Sequence, residues 1–511
     1  MSQQSTAEFG RLRAFFWPVH TWELKKILPM FLMFFFISFN YTILRDTKDT
    51  LIVTSSGADA IPFLKLYGTV PSAIIFMLVY AKLSNMLSKE RLFYAAIIPF
   101  LVFFALFPVF IYPNRSLLCP TTSADWLQSI LPLGMKGLVG CYRNWDYSLF
   151  YILSELWGSA ILSLGFWGFA NDIMRINEAK RVYTLLGVGA NVALLVSGPM
   201  ITYFSQIRGN MPVGADPWQI SLNYLMGSVV VAGAMIVGIY WWMNRNVLTD
   251  PKFYDPQDVK QKKDKPKMSI VDSFKFLLKS RYIFLIALLV MSYGICINLV
   301  EVTWKGQLKL QYPNPNDYSA FMGGLSFATG ATTICLMFIG GWLMRTFGWR
   351  FAAMATPVML LLTATGFFAF VIFSDSLHYY VAALGTTPLF LAVIIGMIQN
   401  VLSKSTKYSL FDPTKEMAYI PLDQESKVKG KAAIDVVGAR LGKSGGSAIQ
   451  QVLLVAVGSL GAITPYVAVS VIVVMVAWML GVRSLSRLFA ELTGQKEEVS
   501  PATESAAQAA T

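Results

Sequence analysis

Long apolar runs constrain this chain more than any other feature, because each covers about twenty residues between charged or Pro/Gly-containing segments. A helix needs about 20 apolar residues to cross the hydrocarbon layer of a bilayer. Within that layer only helices and closed barrels satisfy their own backbone hydrogen bonds. Charged residues make up only 14% of the chain and hydrophobic residues 55%, which is unusual for a soluble protein. The sequence therefore predicts an all-α integral membrane protein.

The apolar runs predict twelve transmembrane helices. They cover residues 27–51, 66–83, 92–112, 147–170, 182–204, 222–243, 282–304, 320–344, 351–373, 379–402, 432–458 and 465–485.

A polar, Lys-rich segment, residues 244–280, separates six spans from six and is predicted to be a linker. The two predicted bundles then cover residues 27–243 and 281–487. Residues 1–26 precede the first bundle, and the Glu-, Ala- and Ser-rich tail 488–511 is predicted to be disordered. Two six-helix halves of the same orientation are typical of major-facilitator transporters, which hold their substrate between the halves near mid-membrane.

The Lys and Arg residues predict the orientation. With both termini on one side, that side carries 31 of the 42 basic residues. Since basic residues accumulate on the cytoplasmic side, the termini and the linker are predicted to be cytoplasmic. This placement also accounts for the net charge of +13, so no nucleic-acid partner is expected. Residues 1–26 lack the short apolar core and cleavage site of a signal peptide.

Histidine and cysteine are sparse. The two histidines, His20 and His378, and the absence of clustered thiols predict no metal centre. Cys119 and Cys141 share one hydrophilic loop. Whether they form a disulfide is left open, because pairing requires that the loop face an oxidising compartment.

The first span carries charge inside an apolar helix. Each charge in the membrane core costs about 2.5–3.5 kcal/mol on insertion scales, so it normally faces water or a partner. Tyr41, Arg45 and Lys48 have the spacing i, i+4, i+7 and share one helix face. The alternative is that the helix ends near Leu44 and the charges form its solvated end.

Other spans carry polar residues at helical spacing. These are Tyr147, Tyr151 and Glu155 in the fourth span, Asn191 in the fifth, Glu301 and Lys305 in the seventh, and Arg440 and Lys443 in the eleventh. Most of them also have a purely structural alternative. The tyrosines could be aromatics at the membrane interface, and Asn191 could form a hydrogen bond between helices. Glu301 and Lys305 could neutralise each other as an internal pair. No matching pair of acids accompanies Arg440 and Lys443. With Arg45 and Lys48 they predict a positive cavity that favours a polyanion.

The segment Gly438-Ala-Arg-Leu-Gly-Lys-Ser444 is close to a phosphate-binding P-loop. It has three residues rather than four between the glycines and follows no strand, so an ATPase is not predicted. A lysine at this position can still meet phosphate as a point charge.

Six motifs, in order along nearly all the spans, resemble the ATP/ADP translocase (nucleotide transporter) family of plastids and obligate intracellular bacteria. They are Leu44-Arg-Asp-Thr-Lys-Asp49, Ser154-Glu-Leu-Trp-Gly-Ser159, Phe166-Trp-Gly-Phe-Ala-Asn171, Gly187-Val-Gly-Ala-Asn191, Val300-Glu-Val-Thr-Trp-Lys305 and Leu441-Gly-Lys-Ser-Gly-Gly446. The resemblance implies a major-facilitator-like carrier in a bacterial inner membrane. It would exchange external host ATP for internal ADP, usually with phosphate, without enzymatic activity. We expect a monomer that needs no cofactor.

The resemblance also implies which residues are functional: the charges Lys48, Glu155, Glu301 and Lys443, and a substrate-site asparagine, Asn191. Plastid members of the family have a non-basic residue at the position of Arg440, and the outer loop 113–145 is expanded relative to theirs, both of which fit a bacterial origin.

We expect Lys48 and Lys443 to hold the phosphates, with Arg45 and Arg440 as weaker candidates. Glu155 and Glu301 would keep the cations in place or read the purine or ribose, and Tyr147 or Tyr151 would stack on adenine. The alternatives are a proton-coupled or broader-specificity importer of GTP, UTP or NAD, and a membrane-embedded transferase.

Overall fold

The computed structural model describes residues 19–207, 216–251, 253, 280–423, 426–427, 430–431, 434 and 438–494. Within these ranges, nothing is described of the side chains of residues 176, 177, 179, 180, 184, 439, 440 and 443. Predictions for residues 1–18, for most of the 244–280 linker and for the tail from residue 495 fall outside the described residues.

Long helices make up almost all of the described chain, which contains no β-strand. They are α1 Leu24–Ser55, α2 Ala60–Met86, α3 Lys89–Ile111, α4 Trp145–Ile173, α5 Ile176–Ser205, α6 Pro217–Asn246, α7 Arg281–Gln311, α8 Pro315–Ile372, α9 Pro388–Ala418, α10 Ala439–Val457 and α11 Leu460–Thr493. All except α10 are long and apolar enough to cross a membrane, and Ser444–Val457 of α10 forms a shorter apolar helix. We call α1–α6 the first half and α7–α11 the second half.

Helix α8 contains the predicted eighth and ninth spans in one stretch of 58 residues. It turns at Gly348, whose φ of 77° and ψ of 176° lie outside the helical region. A residue with a Cβ rarely adopts such a φ, so glycine permits the turn. The two predicted spans lie on either side of it.

The prediction for the tenth span was wrong at both ends. Residues 374–382 form a separate short helix, and α9 begins only at Pro388, after a left-handed Gly385 with φ of 72°. At its other end α9 continues through a π-helical segment, Lys407–Phe411, to Ala418. Lys404 therefore lies inside a helix rather than in the predicted loop.

The last helix also differs from its prediction. Helix α11 continues to Thr493, eight residues beyond the predicted end at residue 485. The first part of the predicted disordered tail, from residue 488, is therefore helical.

The two halves pack together along α5 and α8. A Cβ on Gly198 would lie 2.7 Å from the Gly323 carbonyl oxygen, so the two backbones touch. Nearby, the Thr202 hydroxyl donates to the Ala320 carbonyl at 3.0 Å. The Asn316 amide donates to the Ser205 carbonyl at 3.0 Å. Small residues that allow backbones to approach are typical of membrane helix interfaces. We call this end of the molecule, where α1, α5 and α7 end, the closed end.

The loop between α3 and α4 covers part of the closed end and contacts both halves. Its short helix Lys136–Arg143 approaches the α1–α2 turn so closely that a Cβ on Gly137 would clash with the Asp59 carbonyl oxygen. Just before that helix, Gly134 touches the backbone of Leu454 in α10. The loop thus bridges the first and second halves.

The two cysteines of this loop are free thiols and do not form a disulfide in the structure. The Cys119 thiol donates to the Asp146 carboxylate at 3.5 Å. The Cys141 thiol donates to the Ala60 carbonyl at 3.6 Å. Each sulfur thus faces its own acceptor instead of the other sulfur.

Candidate functional site

The charged segment of α1 lies inside the helix. Helix α1 continues past Leu44 to Ser55, so the alternative of a solvated helix end is wrong. Lys48 is 3% exposed and Asp49 1% exposed. Charges at such depth need counter-charges nearby, because their hydration is lost. The structure supplies these from α1 itself and from two other helices, α4 and α7.

Lys48 lies between two carboxylates and an aromatic ring. Its Nζ is 2.8 Å from Asp49 Oδ1 and 2.9 Å from Glu155 Oε1 of α4. The ammonium also lies 3.9 Å from the centre of the Tyr151 ring, one turn before Glu155. A cation over an aromatic face is attracted by the ring quadrupole. Three of the predicted site residues, Lys48, Tyr151 and Glu155, therefore lie together.

Asp49 connects the two halves. Its second oxygen, Oδ2, lies 2.8 Å from Nζ of Lys305 in α7. Lys305 also lies 3.3 Å from Glu301 Oε1, so the self-neutralising pair expected as an alternative is formed. That pair is not isolated, because Lys404 of α9 reaches the same Glu301 oxygen at 3.4 Å. Lys48, Asp49, Lys305, Glu301 and Lys404 thus form one continuous chain of ion pairs.

Arg45 forms a second cross-half contact. Its Nε lies 3.0 Å from Asp46 Oδ1, and its Nη2 donates to Ser326 Oγ of α8 at 2.7 Å. The Ser326 hydroxyl in turn donates to Asp46 Oδ2. Arg45 is therefore held by a carboxylate of its own helix and a hydroxyl of the other half.

A third contact joins α2 to α7. Lys65 Nζ donates to Asn298 Oδ1 at 2.7 Å. The Asn298 amide nitrogen donates to Ser447 Oγ of α10 at 2.7 Å. A Cβ on Gly446 would lie 2.9 Å from Asn298 Cβ, so a glycine allows this approach between α10 and α7.

The other predicted site residues lie apart from the ion pairs or are only partly described. The Tyr147 ring packs under Arg115, with 3.7 Å from the guanidinium carbon to the ring centre. The Asn191 amide donates to the Gly187 carbonyl of its own helix at 3.0 Å. The backbones of Arg440 and Lys443 lie in the first turns of α10, and their side chains fall outside the described residues.

The described network is nearly balanced in charge. It contains the cations Arg45, Lys48, Lys65, Lys305 and Lys404, and the carboxylates Asp46, Asp49, Glu155 and Glu301. Five positive and four negative charges leave a formal excess of one positive charge. The sequence predicted a positive cavity in which Glu155 and Glu301 keep the cations in place, and these two carboxylates contact Lys48 and Lys305, as buried cations require.

Such an arrangement can bind an anion by exchange of partners. Phosphate oxygens that approach the ammonium groups offer charge-assisted hydrogen bonds equivalent to those of the carboxylates they replace. The cations therefore need not lose a negative partner at any stage.

Sequence reasoning missed Asp46, Asp49, Lys65, Lys404 and Ser326. Asp46 and Asp49 lie in the charged run of the first span, and their local sequence does not indicate which cations they contact. Lys65 and Lys404 fall outside the predicted spans, because a charge marks the end of an apolar run. One signal was available: Lys65 is the only charged residue in the run from Ala60 to Tyr80. Nothing in the local sequence marks Ser326.

A family model described as "TLC ATP/ADP transporter" matches residues 2–489. The chain is 62% identical over 501 residues to ADP,ATP carrier protein 1 of Chlamydia trachomatis, covering 98% of this chain and 95% of that protein. It is 50% identical over 476 residues to the chloroplastic ADP,ATP carrier protein 1 of Arabidopsis thaliana, covering 93% and 75%. To ADP,ATP carrier protein 1 of Rickettsia bellii it is 43% identical over 492 residues, covering 96% and 98%.

Solved transporters share the fold. A bacterial homologue of the iron transporter ferroportin has a TM-score of 0.56 at 11% identity, covering 90% of this chain and all of that one. The nucleoside transporter NupG has a TM-score of 0.54 at 9% identity, covering 90% and 99%. At such low identity the likeness concerns only the fold, which is that of major-facilitator-like transporters.

Proposed function

Because this chain belongs to the TLC ATP/ADP transporter family, we propose that it is an antiporter that exchanges external ATP for internal ADP by alternating access. One observation carries the proposal: a buried carboxylate, Asp49, is shared by Lys48 of the first half and Lys305 of the second. A pocket for a polyanion between moving halves needs cations from both. The curated relatives are named as ADP,ATP carriers, which supports these substrates.

Twelve spans in two six-helix bundles complete this architecture. The turn at Gly348 supports counting α8 as two spans. The apolar part of α10, Ser444–Val457, supports a further span between α9 and α11.

The protein lies in the bacterial inner membrane as a monomer with both termini in the cytoplasm. The excess of Lys and Arg on the terminal side supports this orientation. The closed end then faces outward, and the nucleotide site opens to the cytoplasm. The cross-half contacts Thr202–Ala320 and Asn316–Ser205 support this state, because they lie at the outer end.

Phosphate binding proceeds by replacement of carboxylates. Lys48 and Lys443 hold the phosphate chain, with Arg45 and Arg440 as additional candidates. Glu155 keeps the Lys48 ammonium in place in the empty carrier, as their 2.9 Å contact supports. Glu301 does the same for Lys305.

The adenosine end of the nucleotide meets other residues. Tyr151, whose ring lies against Lys48, is better placed than Tyr147 to stack on adenine. Asn191 contacts the phosphates or the base.

Obligatory exchange follows from the energetics of the ion pairs. To open the closed end, the halves must separate and break the contact between Asp49 and Lys305. In the empty carrier this leaves buried charges without partners, which is strongly unfavourable. A bound nucleotide supplies negative charge to both halves while they move. The carrier therefore reorients only when it is loaded.

Phosphate travels with ADP. ATP carries about one more negative charge than ADP, and moving one charge costs about 2.3 kcal/mol per 100 mV of membrane potential. Phosphate that accompanies ADP as the monoanion H2PO4⁻ cancels this difference of one charge.

Transport by the purified protein in liposomes tests the proposal. Vesicles preloaded with ADP and phosphate should take up labelled ATP, and empty vesicles should not. Uptake by empty vesicles under a pH gradient would identify a proton-coupled importer instead. A panel of ATP, ADP, GTP, UTP, NAD and phosphate defines specificity, and recovery of chemically changed nucleotide would contradict a carrier.

A further inference from the structure

Lys65 differs from the other cations of the network in its partner. It lies in the π-helical segment Leu64–Thr69 of α2. Its ammonium donates to the Asn298 amide oxygen across the two halves at 2.7 Å. The Asn298 oxygen is directed at Lys65 because the amide nitrogen is held by Ser447. π-Helical segments within α-helices occur frequently at functional sites.

Each other described cation of the network contacts a carboxylate. Lys48 and Lys305 share Asp49. Arg45 contacts Asp46, and Lys404 contacts Glu301. Among the described residues, Lys65 instead has a neutral amide as its hydrogen-bond partner. An amide satisfies one N–H bond but does not neutralise the charge, which is costly away from water.

The charge count leads to the same residue. Without Lys65, the four cations and four carboxylates of the described network cancel. Of the five described cations, Lys65 is therefore the one without a carboxylate contact, although it lies within electrostatic reach of Glu301, Lys305, Glu155 and Lys48. An added negative group gains more at such a cation than at one that already contacts a carboxylate.

We propose that Lys65 is a specificity-determining residue that reads the terminal phosphate of the nucleotide and so distinguishes ATP from ADP. The inference rests on the proposed exchange function and assigns the substrate's additional charge to one side chain. ATP and ADP differ by one phosphoryl group, and Lys65 supplies one charge that the described carboxylates do not balance. When the phosphate binds, Lys65 can release the Asn298 amide without leaving a carboxylate unpaired.

The experiment compares the apparent KM for ATP and for ADP. Lys65→Gln removes the charge, is shorter by one heavy atom and retains an N–H donor for Asn298. In liposomes preloaded with ADP and phosphate, we expect the KM for labelled ATP to rise about tenfold or more, as for loss of a charge-assisted hydrogen bond. The KM for labelled ADP should change less than about twofold, since ADP lacks the group that Lys65 reads. Lys65→Arg keeps the charge and should retain most of the preference for ATP.

A second variant changes Asn298, the partner of Lys65. Asn298→Asp places a carboxylate against Lys65 and removes the positive excess while the lysine remains. It should raise the KM for ATP relative to the KM for ADP, as Lys65→Gln is expected to do. The control is Lys89→Gln, because Lys89 forms an exposed pair with Asp172 at 2.8 Å, away from the network. It should transport like the wild type.

Other outcomes overturn the inference. Equal rises in KM for ATP and ADP would show that the contact between Lys65 and Asn298 only holds the halves together. Unchanged KM values in both Lys65→Gln and Asn298→Asp would remove Lys65 from the site. If the wild-type protein itself fails to exchange ATP for ADP, the proposed function fails first, and the inference fails with it.

Discussion

Asp49 illustrates how one side chain can couple two halves of a transporter. Its two oxygens take different partners, Lys48 at 2.8 Å and Lys305 at 2.8 Å. Each lysine has a further carboxylate, Glu155 or Glu301. Asp49 contacts one cation of each half, so its loss affects their association directly.

We therefore predict that Asp49→Asn both destabilises the protein and slows exchange. Removing one partner of a buried ion pair typically costs about 3–5 kcal/mol. The melting temperature in detergent should fall, and ATP uptake into preloaded liposomes should fall about tenfold or more. Asp172→Asn is the control, because its exposed pair with Lys89 contributes only about 0–1 kcal/mol. Normal melting and uptake by Asp49→Asn would show that the bridge has no role.

The free thiols of the loop between α3 and α4 lead to a prediction about reactivity. Burial raises the pKa of Cys141 to about 12, with the Asp59 carboxylate as a further cause. Only the thiolate reacts readily. At pH 8 this thiol should therefore be labelled slowly by maleimide in the folded protein, and faster as the pH rises.

Denaturation without reductant distinguishes the free thiols from a disulfide. All four cysteines should then be labelled, as measured by mass, because all four are free. Labelling of only two would mean that Cys119 and Cys141 are paired after all.

At the scale of elements, glycines determine how closely α5 and α8 pack. Gly323 and Gly324 are adjacent in α8 but differ in surroundings. A Cβ on Gly323 would lie 2.6 Å from the Gly198 carbonyl oxygen, whereas a Cβ on Gly324 would have no neighbour within 4 Å. The two positions form a matched pair in one helix.

Gly323→Ala should weaken the packing of α5 against α8, and Gly324→Ala should not. Overpacking of a tight contact costs about 1–3 kcal/mol. In the interior of an exposed helix face, by contrast, alanine is favoured over glycine by about 1 kcal/mol. Thermal melting of the two purified variants measures the difference. Equal melting temperatures would contradict the close approach of α5 and α8.

At the scale of the whole molecule, the contacts between halves lie along a path from the charged network to the closed end. Arg45–Ser326, Lys65–Asn298 and Asn316–Ser205 all join residues of different halves. Alternating access requires that these contacts break together. The charge that a substrate carries during this step also determines how much net charge one exchange cycle moves across the membrane.

Exchange of ATP for ADP with phosphate should therefore depend little on membrane potential. Without phosphate, each cycle moves about one charge, at about 2.3 kcal/mol per 100 mV. Uptake of labelled ATP is measured in liposomes under a potassium diffusion potential, with and without internal phosphate. A strong dependence on potential in the presence of phosphate would contradict phosphate cotransport.

Much of the fold followed from local sequence. The apolar runs located most long helices, because helix length and bilayer thickness are both fixed distances. Predicted and observed helix ends differ where a charge lies inside a helix, as at Lys404 of α9, which pairs with Glu301 of α7. They also differ where a short helix precedes the span, as before Pro388.

By itself, the sequence determined that this chain is an all-α membrane protein whose motifs place several charged side chains on shared helix faces, since helical periodicity aligns residues three and four apart. Only the tertiary structure determined which charged side chains contact each other. Lys65 and Asn298 are 233 residues apart, and Asp49 could have faced lipid, solvent or either half. Periodicity orients a side chain around its own helix axis. The partner that neutralises it depends on how distant helices pack, because ion pairing requires contact within a few ångströms.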